Sequence, residues 1–158
     1  MKVMSHLFLK TFFLFLFPVG LNFSFAQTGC RDASKRENIL LNTRWKVDGV
    51  PFETIDREKY SLSAIADDSY NFRWGHFISF NENTFTSSYS APCGNDCFTS
   101  VSGGYWFVAD LTIKVKVMAI QRNGFCSKDS EELNKDFGNY LLCKTETGWM
   151  LKKIDENN

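Results

Sequence analysis

Histidine is almost missing from this 158-residue chain, which holds only His6 and His76. That scarcity argues against His-built metal sites and Ser-His-acid triads. No HExxH, P-loop or nucleophile-elbow motif stands elsewhere to reverse the argument. An excess of positive charge is missing too. Lys+Arg and Asp+Glu number 18 each, so there is no basic field for nucleic acid or for an anionic membrane surface. The sequence has no internal repeat, no low-complexity tract and no linker long enough to divide it into domains. A βαβ rhythm is absent, which excludes a parallel sheet covered by helices.

What is present starts at the N-terminus. Lys2 and Lys10 flank a stretch that passes into an uncharged apolar run, Thr11 to Phe25. The run closes on Ser24-Phe25-Ala26, with small residues at the −3 and −1 positions of a signal-peptidase site ahead of Gln27. Residues 1–26 therefore read as a secretory signal peptide, too short and wrongly flanked to span a bilayer. The expected destination is the periplasm or the exterior, with no transmembrane segment in the mature chain. His6, two lysines and seven of the 16 phenylalanines leave with the leader, while Trp45, Trp74, Trp106 and Trp149 all remain. The mature chain then has a net charge near −2, enough length for one domain and a surplus of aromatics. It carries no Asn-x-Ser/Thr sequence, so glycosylation gives no clue.

Export makes disulfide staples the expected state of the cysteines, because the compartment is oxidising. There are five: Cys30, Cys93, Cys97, Cys126 and Cys143. Two disulfides among Cys93, Cys97, Cys126 and Cys143 are expected. Cys93–Cys97 with Cys126–Cys143 is favoured because each closes a short loop, although three pairings exist. A Cys₄ zinc site would want two CxxC-like knuckles, and only one close pair occurs. A thiol-redox site would want Cys-x-x-Cys at a helix N-terminus, whereas this pair falls between strands. Cys30 is left as a free thiol in the tail or as a lipid attachment point. Gln27-Thr28-Gly29 before it supplies the small −1 residue of a lipoprotein signal but no aliphatic residue at −3. A soluble product is the favoured expectation, and no cofactor or metal is expected.

After a polar tail over 27–38, one domain over 39–155 is expected. Trp45 and Val47 alternate with Lys46 and Asp48 in a strand ending at Gly49. Asp56 could cap a short helix running through Tyr60, Ser61 and Ala64. Ile78 and Phe80, a turn at Asn81-Glu82-Asn83, then Phe85, Ser87 and Tyr89 make a β-hairpin. Phe98 to Val108 reads as a strand in which Gly103-Gly104 marks a bulge or a close backbone approach. Leu111, Ile113, Val115 and Val117 face one way, and Thr112, Lys114 and Lys116 face the other. Ser127 or Ser130 could cap a helix through Glu131, Glu132, Leu133 and Phe137, stopped by Gly138. Tyr140–Thr145 and Trp149–Ile154 close the chain as a hairpin. About seven short strands joined by tight turns predict a mainly β fold, a small antiparallel β-barrel or strongly curved sheet with one or two short helices. Tyr60, Tyr70, Trp74 and Trp106 could line a ligand pocket in it, or be ordinary core and rim residues. His76 beside Trp74 and Phe77 reads as a strand-start residue rather than a base.

Two stretches carry family resemblances. The Trp45 strand, Phe80-Asn81-Glu82-Asn83-Thr84-Phe85 and Trp149-Met150-Leu151 resemble a bacterial lipocalin-like domain. Cys97-Phe98-Thr99-Ser100-Val101-Ser102-Gly103-Gly104-Tyr105, followed by Leu111-Thr112-Ile113, is similar to the META domain of envelope proteins. Phe125-Cys126 before Ser130-Glu131-Glu132-Leu133 extends that similarity, which runs from Leu40 to Ile154. Phe98 stands where that family has Asn after the cysteine, and Gly124-Phe125 where it has Met-Ala. Both resemblances imply an exported barrel-like domain; neither implies a reaction or hands over a functional residue. The leading expectation is a non-enzymatic binding domain for a small apolar ligand or an envelope protein. A solid-cored structural, interaction or inhibitor module working through its surface is the alternative, and an unrecognised enzyme the third. A filled barrel interior would remove the carrier.

Overall fold

The alternation in the Leu111–Met118 stretch is realised as the inner and outer faces of a closed sheet. The computed structural model describes residues 38–65, 73–92, 96–125 and 129–155. They form eight strands: β1 (Thr43–Val47), β2 (Lys59–Ala64), β3 (Gly75–Phe80), β4 (Thr84–Ser90), β5 (Phe98–Ala109), β6 (Thr112–Asn123), β7 (Asp129–Lys144) and β8 (Gly148–Ile154). All pairings are antiparallel, and the sheet closes into a barrel in the order β1-β2-β8-β7-β6-β5-β4-β3. Strands β3 to β8 are a simple meander. β1 then lies between β3 and β2, and β2 completes the ring by pairing with β8. A strictly up-and-down barrel would pair β2 with β3 instead. Because β2 and β3 both run antiparallel to β1, they run parallel to each other on its two sides.

Two expected helices are strands. The Asp56–Ile65 stretch gives β2, whose Tyr60 and Leu62 face inward while Ser61 stays exposed. The segment expected as a helix over 130–137 is the first half of β7, paired with β6 from Arg122↔Asp129 to Val117↔Lys135. Leu133 and Phe137 are four apart, a spacing that strands satisfy as well as helices. Two bulges let β7 follow the curving barrel, one beside Asn134 (φ 47°) and one before Gly138 (φ 91°). The Asn81–Asn83 hairpin, the long β5 and β6, and the closing hairpin stand where the sequence put them.

Inside the ring lie Tyr60, Leu62, Ile78, Phe80, Phe85, Val101, Tyr105, Ile113, Val115, Val117, Phe137, Tyr140, Leu142 and Leu151, all at most 2% exposed. Outward positions hold Lys114, Lys116 and Lys152. Apolar within and charged without is the reverse of the alternation in a barrel that crosses a bilayer. No helix of the described residues is long and apolar enough to cross a membrane. Gly103 is demanded by closure: a Cβ there would sit 2.1 Å from the Lys116 carbonyl oxygen and 2.8 Å from the Phe85 ring. The expected bulge falls at that point, between Ser102 and Gly103.

The barrel has two distinct ends. At the near end Asn38 leads in, and the turns at 81–83, 110–111 and 145–147 cluster. At the far end lie the β1–β2 connection (48–58) and the start of β5. There, Phe98–Ser102, Ala119–Asn123 and Asp129–Glu132 continue as a three-stranded extension beyond β8, whose pairing with β7 covers only Asn139 to Lys144.

Candidate functional site

The β1–β2 connection decides what the barrel can hold. Pro51 and Phe52 turn inward, with Phe52 in the left-handed region (φ 57°) and 0% exposed. Its ring packs edge-on against Tyr60 (4.9 Å between centroids), Phe85 (5.0 Å) and Tyr140 (5.3 Å). Its backbone N–H donates to the Tyr60 hydroxyl at 3.0 Å. A bulky residue at positive φ is costly and persists only where packing compensates. Here it is held by three aromatic contacts and a buried hydrogen bond. On the near side, Phe80 meets Tyr105 at 5.1 Å, and the Tyr105 hydroxyl donates to the Asn81 carbonyl while accepting from Asn38. The axis of the barrel is thus occupied by side chains, with Leu40 at one end and Phe52 at the other.

One polar group inside this aromatic column has no partner among the described residues. The Tyr140 hydroxyl is fully buried beside Tyr60 and makes no hydrogen bond. Burial pushes its pKa well above the ordinary tyrosine value, and the neighbouring Tyr60 adds to the rise. Tyr60 is raised too, by burial first, against the lowering effect of the Phe52 hydrogen bond and of Arg57. Both phenols stay neutral at any physiological pH.

Polar and aromatic groups gather on the far rim. His76 lies against Tyr89 (4.8 Å between ring centroids), and Tyr89 stacks with Phe98 at 6.4 Å. The Tyr89 hydroxyl donates to Asp96 at 3.2 Å, and Thr99 donates to Glu53 at 3.4 Å. Arg57 closes one side, its guanidinium over the Tyr60 ring at 4.6 Å and paired with Asp48 at 2.8 Å. Desolvation lowers the His76 pKa; Glu53 opposes that and Arg57 reinforces it. The ring is therefore neutral near pH 7, with its buried Nδ1 making no hydrogen bond among the described residues. The rim offers carboxylate acceptors and flat aromatic faces, which suits hydrogen-bonding or cationic groups of a partner. No cluster of three or more His, Cys, Asp or Glu side chains among the described residues is placed to hold a metal.

The residues singled out by sequence scatter. Tyr60 is inside the barrel, in contact with Phe52 rather than an open cavity. Trp106 is on the outer face of β5 and 41% exposed, because it alternates with the inward Tyr105. Trp74 is half-buried directly before β3, and Tyr70 lies outside the described residues. So do Cys30, Cys93 and Cys126; Cys97 and Cys143 are described, and each has a partner. Each of the expected bridges, Cys93–Cys97 and Cys126–Cys143, has one cysteine outside the described residues. Sequence reasoning passed over Phe52 and the rim residues Glu53 and Asp96. A phenylalanine directly after proline in a polar connection is the only local sign of the first.

The fold and its rim define a small closed antiparallel β-barrel with a filled interior. Compared with known protein families, with curated proteins and with solved structures, the chain matches none.

Proposed function

We propose that this chain is an exported, non-enzymatic binding module that works through its surface, with the far rim of the barrel contacting an envelope protein. The observation that carries the reading is Phe52. It fills the space a small apolar ligand would need, and it leaves Glu53, His76, Tyr89, Asp96 and Phe98 gathered at the far rim. The META-like resemblance accords with an exported barrel. The up-and-down order of lipocalins is not the order of these strands, which weakens the lipocalin comparison. One observation favours a small ligand instead: the buried, unpartnered Tyr140 hydroxyl could anchor a polar atom if Phe52 were displaced.

A photo-crosslinking residue in place of Tyr89, in protein expressed in its source compartment, separates the two. The expected result is a discrete protein–protein adduct that Glu53→Lys and Asp96→Lys abolish. Native mass spectrometry of the unmodified protein should show the bare chain. A stoichiometric apolar molecule on the chain, with no rim adduct, would overturn the interaction reading in favour of the carrier.

A further inference from the structure

β8 is too short to cover its neighbour. β7 runs from Asp129 to Lys144, but its ladder with β8 spans only Asn139 to Lys144. Over Asp129–Gly138, roughly 30 Å of strand, β7 pairs with β6 on one side and with no strand of the described residues on the other. Closing a barrel ordinarily removes such an edge. Ser130 and Glu132 on one face, and Asp129 and Glu131 on the other, are all exposed, so the edge is open from both sides.

The edge is firm as well as open. Asp129–Glu132 lie in unbroken register with Arg122–Ala119. Val101 and Ile120 of the same extension are buried, and Thr99 is hydrogen-bonded to Glu53 of the β1–β2 connection. Where β8 stops, a recess of about 430 Å³ opens in its line, walled in part by Ile55, Phe137, Gly138 and Ile154. Both lysines that line it are engaged, Lys114 with Asp136 and Lys153 with the Ile55 carbonyl. It therefore offers apolar surface to one side chain of a strand that continues the path of β8.

Charge decides which strand fits. Three of the four residues Asp129-Ser130-Glu131-Glu132 are acidic, and Lys135 is the only basic residue from Asp129 to Gly138. Among the described residues Arg122 alone pairs with the run, 3.5 Å from Asp129 and 3.9 Å from Glu131, and Glu132 has no cation. A second copy would bring the same acids against these. The run and the bulges near Asn134 and Gly138 thus deter self-pairing. The same run attracts a strand of opposite charge.

We propose that this edge receives an extended, Lys- or Arg-bearing segment of a partner protein, added antiparallel to β7 in the line where β8 ends. The inference rests on the surface-binding reading and names what the partner presents there. Backbone hydrogen bonds hold the segment, and the acidic run selects it.

The test begins with the purified full chain and a peptide of alternating Lys and Thr, about ten residues long to match the free edge. Backbone amides of Asp129–Glu132 that point away from β6 should exchange freely in the bare chain and become protected when the peptide is added. Glu131→Lys with Glu132→Lys, at two exposed positions, should leave the barrel folded and weaken binding about tenfold or more. N-methylation of alternate peptide bonds should abolish binding although every charge is kept. Equal binding of the N-methylated peptide would overturn strand addition. So would absence of protection at millimolar peptide, or protection of these amides in the bare chain by its own terminus or a second copy. Equal affinity for an alternating Glu–Thr peptide would overturn the charge selection.

A photo-crosslinking residue in place of Ser130, in protein expressed in its source compartment, then separates the edge from the rim. A protein adduct at Ser130 is expected. An adduct from Tyr89 with none from Ser130 would sink the edge and keep the rim. Strand addition in the purified chain, with a small molecule and no protein on the chain from its source, would sink the surface-binding reading alone.

Discussion

Phe52 is the residue on which the interior depends, and its energetics are separable. Truncation to Ala removes a fully buried ring that touches Tyr60, Phe85 and Tyr140, a change worth about 3–5 kcal/mol of stability. Phe52→Gly loses the same ring but relieves a left-handed backbone (φ 57°), so it should be the milder variant by about 1 kcal/mol. Urea unfolding at unchanged m-value checks the order; an Ala variant more stable than the Gly variant would contradict the strain. His76 gives a second test. Desolvation lowers its pKa below 6.5, so between those values the folded protein binds fewer protons than the unfolded chain. Stability from this group is complete above about pH 6.5 and is lost as pH falls through the folded value. His76→Gln should flatten that part of the stability–pH curve. Asp136 acts in a separate, lower window. Burial raises its pKa, but hydrogen bonds from Lys114 and the Gly138 N–H and the charges of Lys114 and Lys116 more than offset that. The net value is lowered, so its contribution persists above the ordinary carboxylate range and fades only as pH falls through the folded value. At this scale the sequence was a partial guide. Tyr60 is interior, as an aromatic with a polar edge suggested, but its neighbour Phe52 comes from a connection whose path no periodicity encodes. Trp106 looked like a lining residue for its ring and polar edge, although the alternation that sets Val101, Tyr105 and Phe107 on one face of β5 puts Trp106 on the other.

At the level of elements, the strands with clean alternation were legible and those with bulges were not. β4 keeps period two, and β6 keeps it from Ile113 to Val117, before the register shift at Met118, with the inward set Phe85, Ser87, Ile113, Val115 and Val117 joining Ile78 and Phe80 of β3. β7 does not: its bulges near Asn134 and Gly138 shift the pattern by one residue each, and the Glu-rich, Gly-ended result imitates a capped helix. β2 is short and borders a polar connection, so Tyr60 and Leu62 alone carried its signal. Gly103 is the element-scale test. Gly103→Ala places a methyl against the Lys116 carbonyl, which belongs to a strand backbone and has nowhere to move. The expected outcome is a loss of several kcal/mol, of the order of an overpacked core site, read as a lowered Tm. Gly104→Ala, whose nearest contact is the Asn83 carbonyl at 3.4 Å, should cost much less. Equal losses at the two positions would show that β-propensity rather than closure governs this strand.

For the whole molecule, the ring closes through its least local contact. β2 meets β8 through Lys59↔Lys152 to Ser63↔Gly148, so residues some ninety positions apart must find each other after the meander has formed. Such non-local pairing places refolding in the millisecond-to-second range typical of all-β domains, not the microseconds of helical bundles. Leu151 reports on that step, because it is 0% exposed and lies in register between Tyr60 on β2 and Leu142 on β7. Leu151→Ala should remove about 2–5 kcal/mol. If β8 docks on β2 after the rate-limiting barrier, most of that loss appears as faster unfolding, with the folding limb of the chevron little changed. Ile78→Ala, in the β3–β4 hairpin between sequence neighbours, should slow folding instead. The reverse assignment of the two limbs would mean that closure through β8 organises the barrel first and the meander condenses on it.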